Sequence, residues 1–393
     1  MPATSDRLRI VVLGSMGRCP FGGQTWMYLN WLLGLHRCGH EVWYVEDEEI
    51  WPHHPVKNET TDDCTYAVGH VASSMAHIGM PDQWVYRLAG RQGACWGLSE
   101  IRLAELYSSC DVVLNVAGET ALREEHLKAR LRVYLECDPV TAELKLANGD
   151  RNVREAFDRH HVFATYGENY AAEDCGVPLN GITYRKTRQP VALDFWPAVF
   201  SPDARFFTTI GNYRQAGWDV AYNGQTYSWS KHHEWEKFLR LASLTAQPFE
   251  LGLKIDDSRD QDRLEAHGWR VVSPLRMSLD VFGAYQEFIR RSRAEFTVAK
   301  DQNVRLRSGW FSERDACYLA CGKPVVAQDT GFSKILPTGK GLYAFTTIEQ
   351  ALSAIEAINS DYQGNCTAAR AIAEDYFAAE KVASRLLQDI GLT

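Results

Sequence analysis

Basic residues beside a helix start, and carboxylates just past strand ends, are the residues of this chain whose types and spacing could do chemistry. Lys300, Arg305 and Arg307 lead into Ser308-Gly309 and then Ser312, which with Asp315 makes a variant capping box and predicts a helix from Glu313 to about Ala320. The free N–H groups and dipole of such a helix start, faced by a basic loop, form a site for an anion such as a phosphate ester. Gln328-Asp329-Thr330-Gly331 follows the apolar run Val325 to Ala327, at the carboxyl end of a strand, where open α/β sheets take ligands. An ordinary βαβ unit with a solvated basic loop accounts for the same pattern. The second group is acidic: Glu119, Asp138 and Glu168 stand just past the runs Asp111–Val116, Arg132–Leu135 and Val162–Thr165. Three strands that each deliver a carboxylate at their end describe the lining of a cleft, and a carboxylate there could take the proton of a hydroxyl. Capping of the following helices is the competing use of each.

The elements that must position these groups alternate between strand and helix. Leu8–Leu13 reads as a buried strand, and the glycine-rich stretch Gly14–Gly23, with Gly22 and Gly23 at its end, opens onto a helix from about Gln24 to His36 and a strand from Glu41 to Glu46. Residues 52–100 are polar and tryptophan-rich and hold one or two helices. Prolines 190, 197 and 202 break the pattern into an extended hinge. A second unit then begins with the strand Phe206–Ile210 and the loop Gly211-Asn212-Tyr213-Arg214, a small-residue turn carrying a guanidinium. It continues through a helix Lys231–Leu244, a strand Phe249–Leu253, a helix Asp262–His267, a strand Trp269–Val272 ending in Ser273-Pro274, and a helix Leu279–Arg291. Strands Glu295–Ala299 and Leu342–Phe345 and helices Ile348–Asn359 and Cys366–Ile390 complete it. Strands alternating with helices mean a parallel sheet, here built twice: α/β, two doubly wound Rossmann-like domains facing across a cleft, at residues 1–195 and 206–365, with the hinge at 196–205 and a terminal helix at 366–393.

At 393 residues and 45% hydrophobic, the chain can fill two such cores. A net charge of −8 speaks against a nucleic-acid backbone as partner. No uninterrupted apolar window is long enough to span a membrane, and the first residues lack a signal-peptide core, so the expectation is a cytoplasmic enzyme. The ten cysteines show no zinc spacing, and Cys317 and Cys321, one helical turn apart, read as buried thiols. The adjacent pairs His53-His54, His160-His161 and His232-His233 point their side chains apart and do not suit a shared metal. His36, in the last turn of its helix, reads as a dipole partner or core residue.

Phe21-Gly22-Gly23 followed by Arg37-Cys-Gly39-His40-Glu41-Val42, and Ala320-Cys-Gly322-Lys-Pro324-Val-Val326, are similar to the GG loop, the RGHEV and the ACGKPVV of the GT-B class of nucleotide-sugar glycosyltransferases. The resemblance covers nearly the whole chain as architecture. It implies a nucleotide-sugar donor in the second domain, a small-molecule or glycan acceptor in the first, and a last helix that crosses back. On that footing Gly211, Asn212 and Arg214 converge with Arg307, Ser308, Gly309 and Ser312 on the donor diphosphate. Gln328, Asp329 and Thr330 hold sugar hydroxyls, and Ser273 lies beside the nucleobase. Of the alternating pair Arg305 and Arg307, one faces the site. Glu313 is a helix-dipole residue that can touch the sugar. Glu119 is the first choice of base and Asp138 the second, with Glu168 on the interdomain face. No metal and no cofactor beyond the co-substrate are expected, and the protein is a monomer or homodimer. Two departures leave inversion or retention open. The paired glutamates of retaining members fall on Gly309 and Cys317, and no histidine occurs in residues 14–23. A nucleotide-sugar epimerase of the same build, or a binding protein that keeps the fold without chemistry, are the rival readings.

Overall fold

The computed structural model describes residues 7–91 and 93–392. Eight strands form the first sheet: β1 Arg9–Leu13, β2 Glu41–Glu48, β5 Trp84–Leu88, β6 Cys95–Trp96, β7 Val112–Val116, β8 Leu131–Glu136, β9 Val162–Thr165 and β10 Tyr184–Lys186. Their spatial order is β10-β9-β8-β7-β1-β2-β5-β6, parallel except where β6 turns back along β5. The hairpin β3 His53–His54 and β4 Glu59–Thr60 stands apart from it. The second sheet, β15-β14-β11-β16-β17-β18, is parallel throughout and consists of β11 Phe207–Asn212, β14 Phe249–Lys254, β15 Trp269–Val272, β16 Ala294–Thr297, β17 Val325–Gln328 and β18 Leu342–Phe345. A small hairpin, β12 Val220–Tyr222 with β13 Gln225–Tyr227, rises between β11 and β14. All five residues of β7 and all four of β16 and β17 are buried, as strands covered on both faces must be. In each sheet the chain winds one way and then the other. The crevices opened by that reversal lie between β1 and β7 and between β11 and β16, at the carboxyl ends of the strands.

The expected α/β architecture is present, with local differences. Residues 52–100 contain a helix, Thr65–His77, and also β5 and β6, because Val85, Tyr86 and Leu88 bury into the sheet while Trp84 and Arg87 stay half-exposed and blur the apolar run. The segment 231–244 is a short helix, His232–Lys237, and a 3₁₀ turn, Leu241–Leu244. The segment 279–291 breaks where the Asp280 carboxylate accepts the N–H of Gly283 at 3.1 Å and of Ala284 at 2.9 Å, restarting a helix at Ala284. Arg305 ends a helical turn, Asp301–Arg305, and Arg307 has a left-handed φ of 49°, so the two do not alternate along an extended segment.

The chain passes between the sheets along 187–206 and returns at its end. Helix Tyr362–Ile372 runs through a wide turn, Ala373–Phe377, into extended Ala378 and then helix Ala379–Asp389, which packs on helix Gly22–Arg37 of the first half. At the return, the Val191 N–H donates to the Phe377 carbonyl (2.7 Å) and the Ala379 N–H to the Val191 carbonyl (3.0 Å). Arg37 binds Asp194 at 2.8 Å and Glu380 at 3.1 Å, tying both crossings to one helix. Gly34 permits this approach, since a Cβ there would lie 2.6 Å from the Ala379 carbonyl oxygen. Gly34→Val is therefore expected to cost about 1–3 kcal/mol, the usual penalty of overpacking, read as a lowered urea midpoint by tryptophan fluorescence; an unchanged midpoint would contradict this packing.

Candidate functional site

The carboxyl ends of the two sheets face each other, and the second half brings three cations there. Arg314, in the first turn of helix Glu313–Ala320, reaches across the β11/β16 crevice. It donates to the Ile210 carbonyl at 2.7 Å, to Thr297 Oγ1 at 2.9 Å, to Asp315 at 3.2 Å and to Glu295. Every end of that guanidinium is thus committed, and it acts as a fixed positive charge. Lys300, directly after the buried Val298 and Ala299 that follow β16, binds the Asp138 carboxylate of the first half, and its ammonium sits over the Trp229 ring. Lys231, just before helix His232–Lys237, is different: among the described residues its ammonium makes no ion pair, and it lies 5.4 Å from the centre of the Trp310 ring. Burial, followed by the neighbouring Arg314 charge, pushes its pKa down to about 7. An anion entering here would meet the Lys231 charge without displacing a protein carboxylate.

Two carboxyl groups with unused oxygens stand beside the cations, Asp138 from the first half and Glu313 from the helix that carries Arg314. Asp138, past β8, is oriented by its own N–H, which donates to Glu136 Oε1 at 3.0 Å; one of its oxygens is bound to Lys300 and the other, Oδ1, is buried without a partner among the described residues. Glu313 is half-buried, its Oε1 also has no partner among the described residues, and burial together with the Asp138 charge lifts its pKa to about 8. The Trp310 indole N–H donates to the Cys137 carbonyl at 3.1 Å and so holds this side of the cleft to β8.

The other residues singled out by type and spacing separate into those near this cleft and those engaged elsewhere. Glu119 pairs with Arg18 of the β1 loop, with its side chain 31% exposed. Gly211 and Asn212 belong to the end of β11, not to a loop, and Asn212 is exposed. Arg214 is held by Asp260 of helix Ser258–Ala266. Ser273 is exposed, just beyond β15. The anticipated anion pocket at 307–312 is a packed join. Arg307 donates to Asp174 at 2.6 Å, Ser308 Oγ donates to Asn303 at 2.7 Å, and Gly309 is pressed against the Asn169 backbone with its N–H on the Thr330 carbonyl at 2.8 Å. Ser312 precedes the helix but caps it with no side-chain bond, because Asp315 turns to Arg314 and the capping box does not form. Gln328 and Asp329 reach the expected strand end and then turn inward. The Gln328 amide joins the Ala299 N–H (3.1 Å) to Glu234 (2.7 Å). Asp329 accepts the N–H of Gly331 at 2.9 Å and the Ser333 hydroxyl at 3.0 Å, closing a turn. Thr330 donates to the Trp310 carbonyl at 2.5 Å. Gly22 lies under the Tyr285 ring, where a Cβ would come within 2.6 Å, and Gly23 lies at its edge, so this pair serves the contact between halves. Glu168 is bound by Arg188 at 2.6 Å beside Tyr376.

Sequence reasoning missed Lys231 and Arg314. The readable signal for the latter was Glu295, a carboxylate inside an otherwise apolar strand, which demands a buried cation. For Lys231 there was none. Among the described residues no cluster of three or more His, Cys, Asp or Glu could hold a metal ion, and no helix is long and apolar enough to cross a membrane. A cavity of about 710 Å³ lined by Arg205, Gln247 and Arg293 lies at the amino ends of the second sheet, away from this chemistry.

No protein-family model and no curated protein sequence matches the chain. Solved structures do. The α-glucosyltransferase in complex with UDP aligns over 98% of this chain and 99% of its own, with a TM-score of 0.60 at 10% identity. Anabaena Alr3699/HepE in complex with UDP and glucose aligns over 98% and 99%, with a TM-score of 0.57 at 13% identity. AviGT4, a glycosyltransferase involved in avilamycin A biosynthesis, aligns over 98% and 97%, with a TM-score of 0.55 at 11% identity. Likenesses at this identity, spanning both sheets and the returning helix, are likenesses of fold, and the fold of this chain is that of the GT-B glycosyltransferases.

Proposed function

We propose that the protein transfers a sugar, a hexose in the first instance, from a nucleoside diphosphate donor to a hydroxyl-bearing acceptor. The observation that carries this reading is the unpaired Lys231 ammonium, set beside Arg314 and Lys300 at the crevice of the second sheet. In the reaction the bond between the anomeric carbon and the diphosphate oxygen breaks, its electron pair leaves on the diphosphate, and the acceptor oxygen forms the new bond. Lys231 meets the developing charge, with the committed Arg314 adding a fixed positive field, so the chain's own cations supply the stabilisation that a metal would give. The acceptor proton passes to Asp138. Its direct contact with Lys300 puts it nearer the leaving group than Glu119, whose partner Arg18 belongs to the loop after β1. The neighbours of this fold solved with UDP support the same choice of donor.

A thermal-shift series with UDP, GDP and ADP, followed by turnover of the matching sugar nucleotide, tests the reading. One diphosphate at 100 times its Kd is expected to add about 2.7 kcal/mol of stability, and consumption of its sugar conjugate is expected to require a hydroxyl acceptor. No stabilisation by any of the three would overturn the donor site. Turnover that needs no acceptor would favour epimerase-type chemistry, and binding without turnover would favour a binding protein.

A further inference from the structure

At the carboxyl ends of β1, β2 and β7, on the first-half side of the cleft, one cation stands among three carboxyl groups. Arg18 binds Glu119 and, at 3.3 Å, Glu48. Glu46 is already satisfied, accepting the N–H groups of Gly17 and Arg18 at 2.6 Å each and the Tyr44 hydroxyl at 2.8 Å. Glu48 is not. Its side chain is 4% exposed, its Oε2 faces Arg18, and among the described residues its Oε1 has no hydrogen-bond partner; nor has the buried Tyr86 hydroxyl, which feels the charges of Glu46, of the Cys64 thiol and of Glu48. An unpartnered carboxyl oxygen and hydroxyl in one buried place cost stability unless something supplies the missing donors. Glu119, the outermost member, opens the cluster to the cleft.

We propose that this cluster binds a primary ammonium of the acceptor, so that the sugar is transferred to a hydroxyl of an amine-bearing molecule. The inference deepens the transferase reading and rests on it. Three N–H donors on one small cation match the Glu48 oxygen, the Tyr86 hydroxyl and the second face of Glu119. The charges also close. Burial lifts Glu48 to about 8, so without a cation beside it the group keeps its proton at neutral pH; an arriving ammonium lets Glu48 ionise against it, the proton passing to water. The amide of the same molecule carries no charge and one donor, and leaves Glu48 unmet.

Direct titration of the full chain, saturated with UDP, tests this with two matched pairs of probes: glucosamine against N-acetylglucosamine, and ethanolamine against N-acetylethanolamine. Each amine is expected to bind about tenfold or more tighter than its amide, the worth of one hydrogen bond to a charged group, and the sugar pair tells an amino sugar from a simpler amino alcohol. In Glu48→Gln the preference is expected to fall to near unity while the UDP-induced rise in Tm is kept. Equal binding of amine and amide by the unaltered protein would overturn the proposal whatever the variant does. So would a larger stabilisation by magnesium or calcium chloride than by either amine, which would assign the cluster to a metal cation. Loss of the UDP response, in contrast, would strike the donor reading alone.

Discussion

Lys231→Ala is expected to lower kcat for sugar transfer by about 10²- to 10³-fold, the loss seen when one preorganised donor to a developing oxyanion is removed. The other two cations cannot replace it. Arg314 has its donors on Ile210, Thr297, Asp315 and Glu295, and Lys300 is bound to Asp138, so only Lys231 has a charge to turn toward the diphosphate without breaking a bond. Because the charge on the leaving oxygen grows along the reaction, kcat falls more than UDP affinity. Lys231→Arg tests charge against shape, since a planar guanidinium in a place lined by Trp310 does not reproduce a compact ammonium. The measurements are UDP release from the sugar nucleotide and UDP binding by titration. A Lys231→Ala enzyme within about threefold of the unaltered rate would remove this residue from the leaving-group site.

Asp138→Asn is expected to lower kcat/KM by about 10²- to 10⁴-fold, the span of general-base contributions, with UDP binding retained. Asparagine keeps the shape and can still accept a bond from Lys300, so the fold across the cleft survives while the proton acceptor is lost. A role in structure alone would lower the rate at every pH equally. A role as base alters the shape of the pH profile as well as its height. The same change at Glu119 is expected to be the milder of the two. If Glu119→Gln abolished transfer and Asp138→Asn did not, the first choice made from the sequence would be the right one.

That order of carboxylates shows what a sequence can and cannot deliver. β7 and β17 are apolar and valine-rich through most of their length, and such runs have one solution, a strand buried on both faces. Gln328 and Asp329 lie at a strand end by the same logic, but the direction of a side chain after the strand is set by the turn. A turn that needs its own N–H groups satisfied took Asp329 for itself. Lys231 lies beyond the hairpin β12/β13 and is carried to the cleft by the docking of that hairpin, where Asn148 donates to the Ala221 carbonyl at 2.7 Å and Lys145 lies over Trp218. No local pattern in the chain encodes such a contact between distant segments. Arg18 and Glu48 were hidden for a related reason: each is ordinary in its own segment, and only the parallel pairing of β1 with β2 brings them together.

The double crossing near Val191 and Ala378 has a mechanical meaning. A single linker lets two bodies tumble about a point, whereas two segments that hydrogen-bond to each other where they cross, and that share Arg37 as a common anchor, define a line. Any opening of the cleft would have to turn about that line and part the join between Asn169 and Ser308 as well. The Asp138–Lys300 ion pair spans the cleft on the far side of that line, and the same turn would separate it.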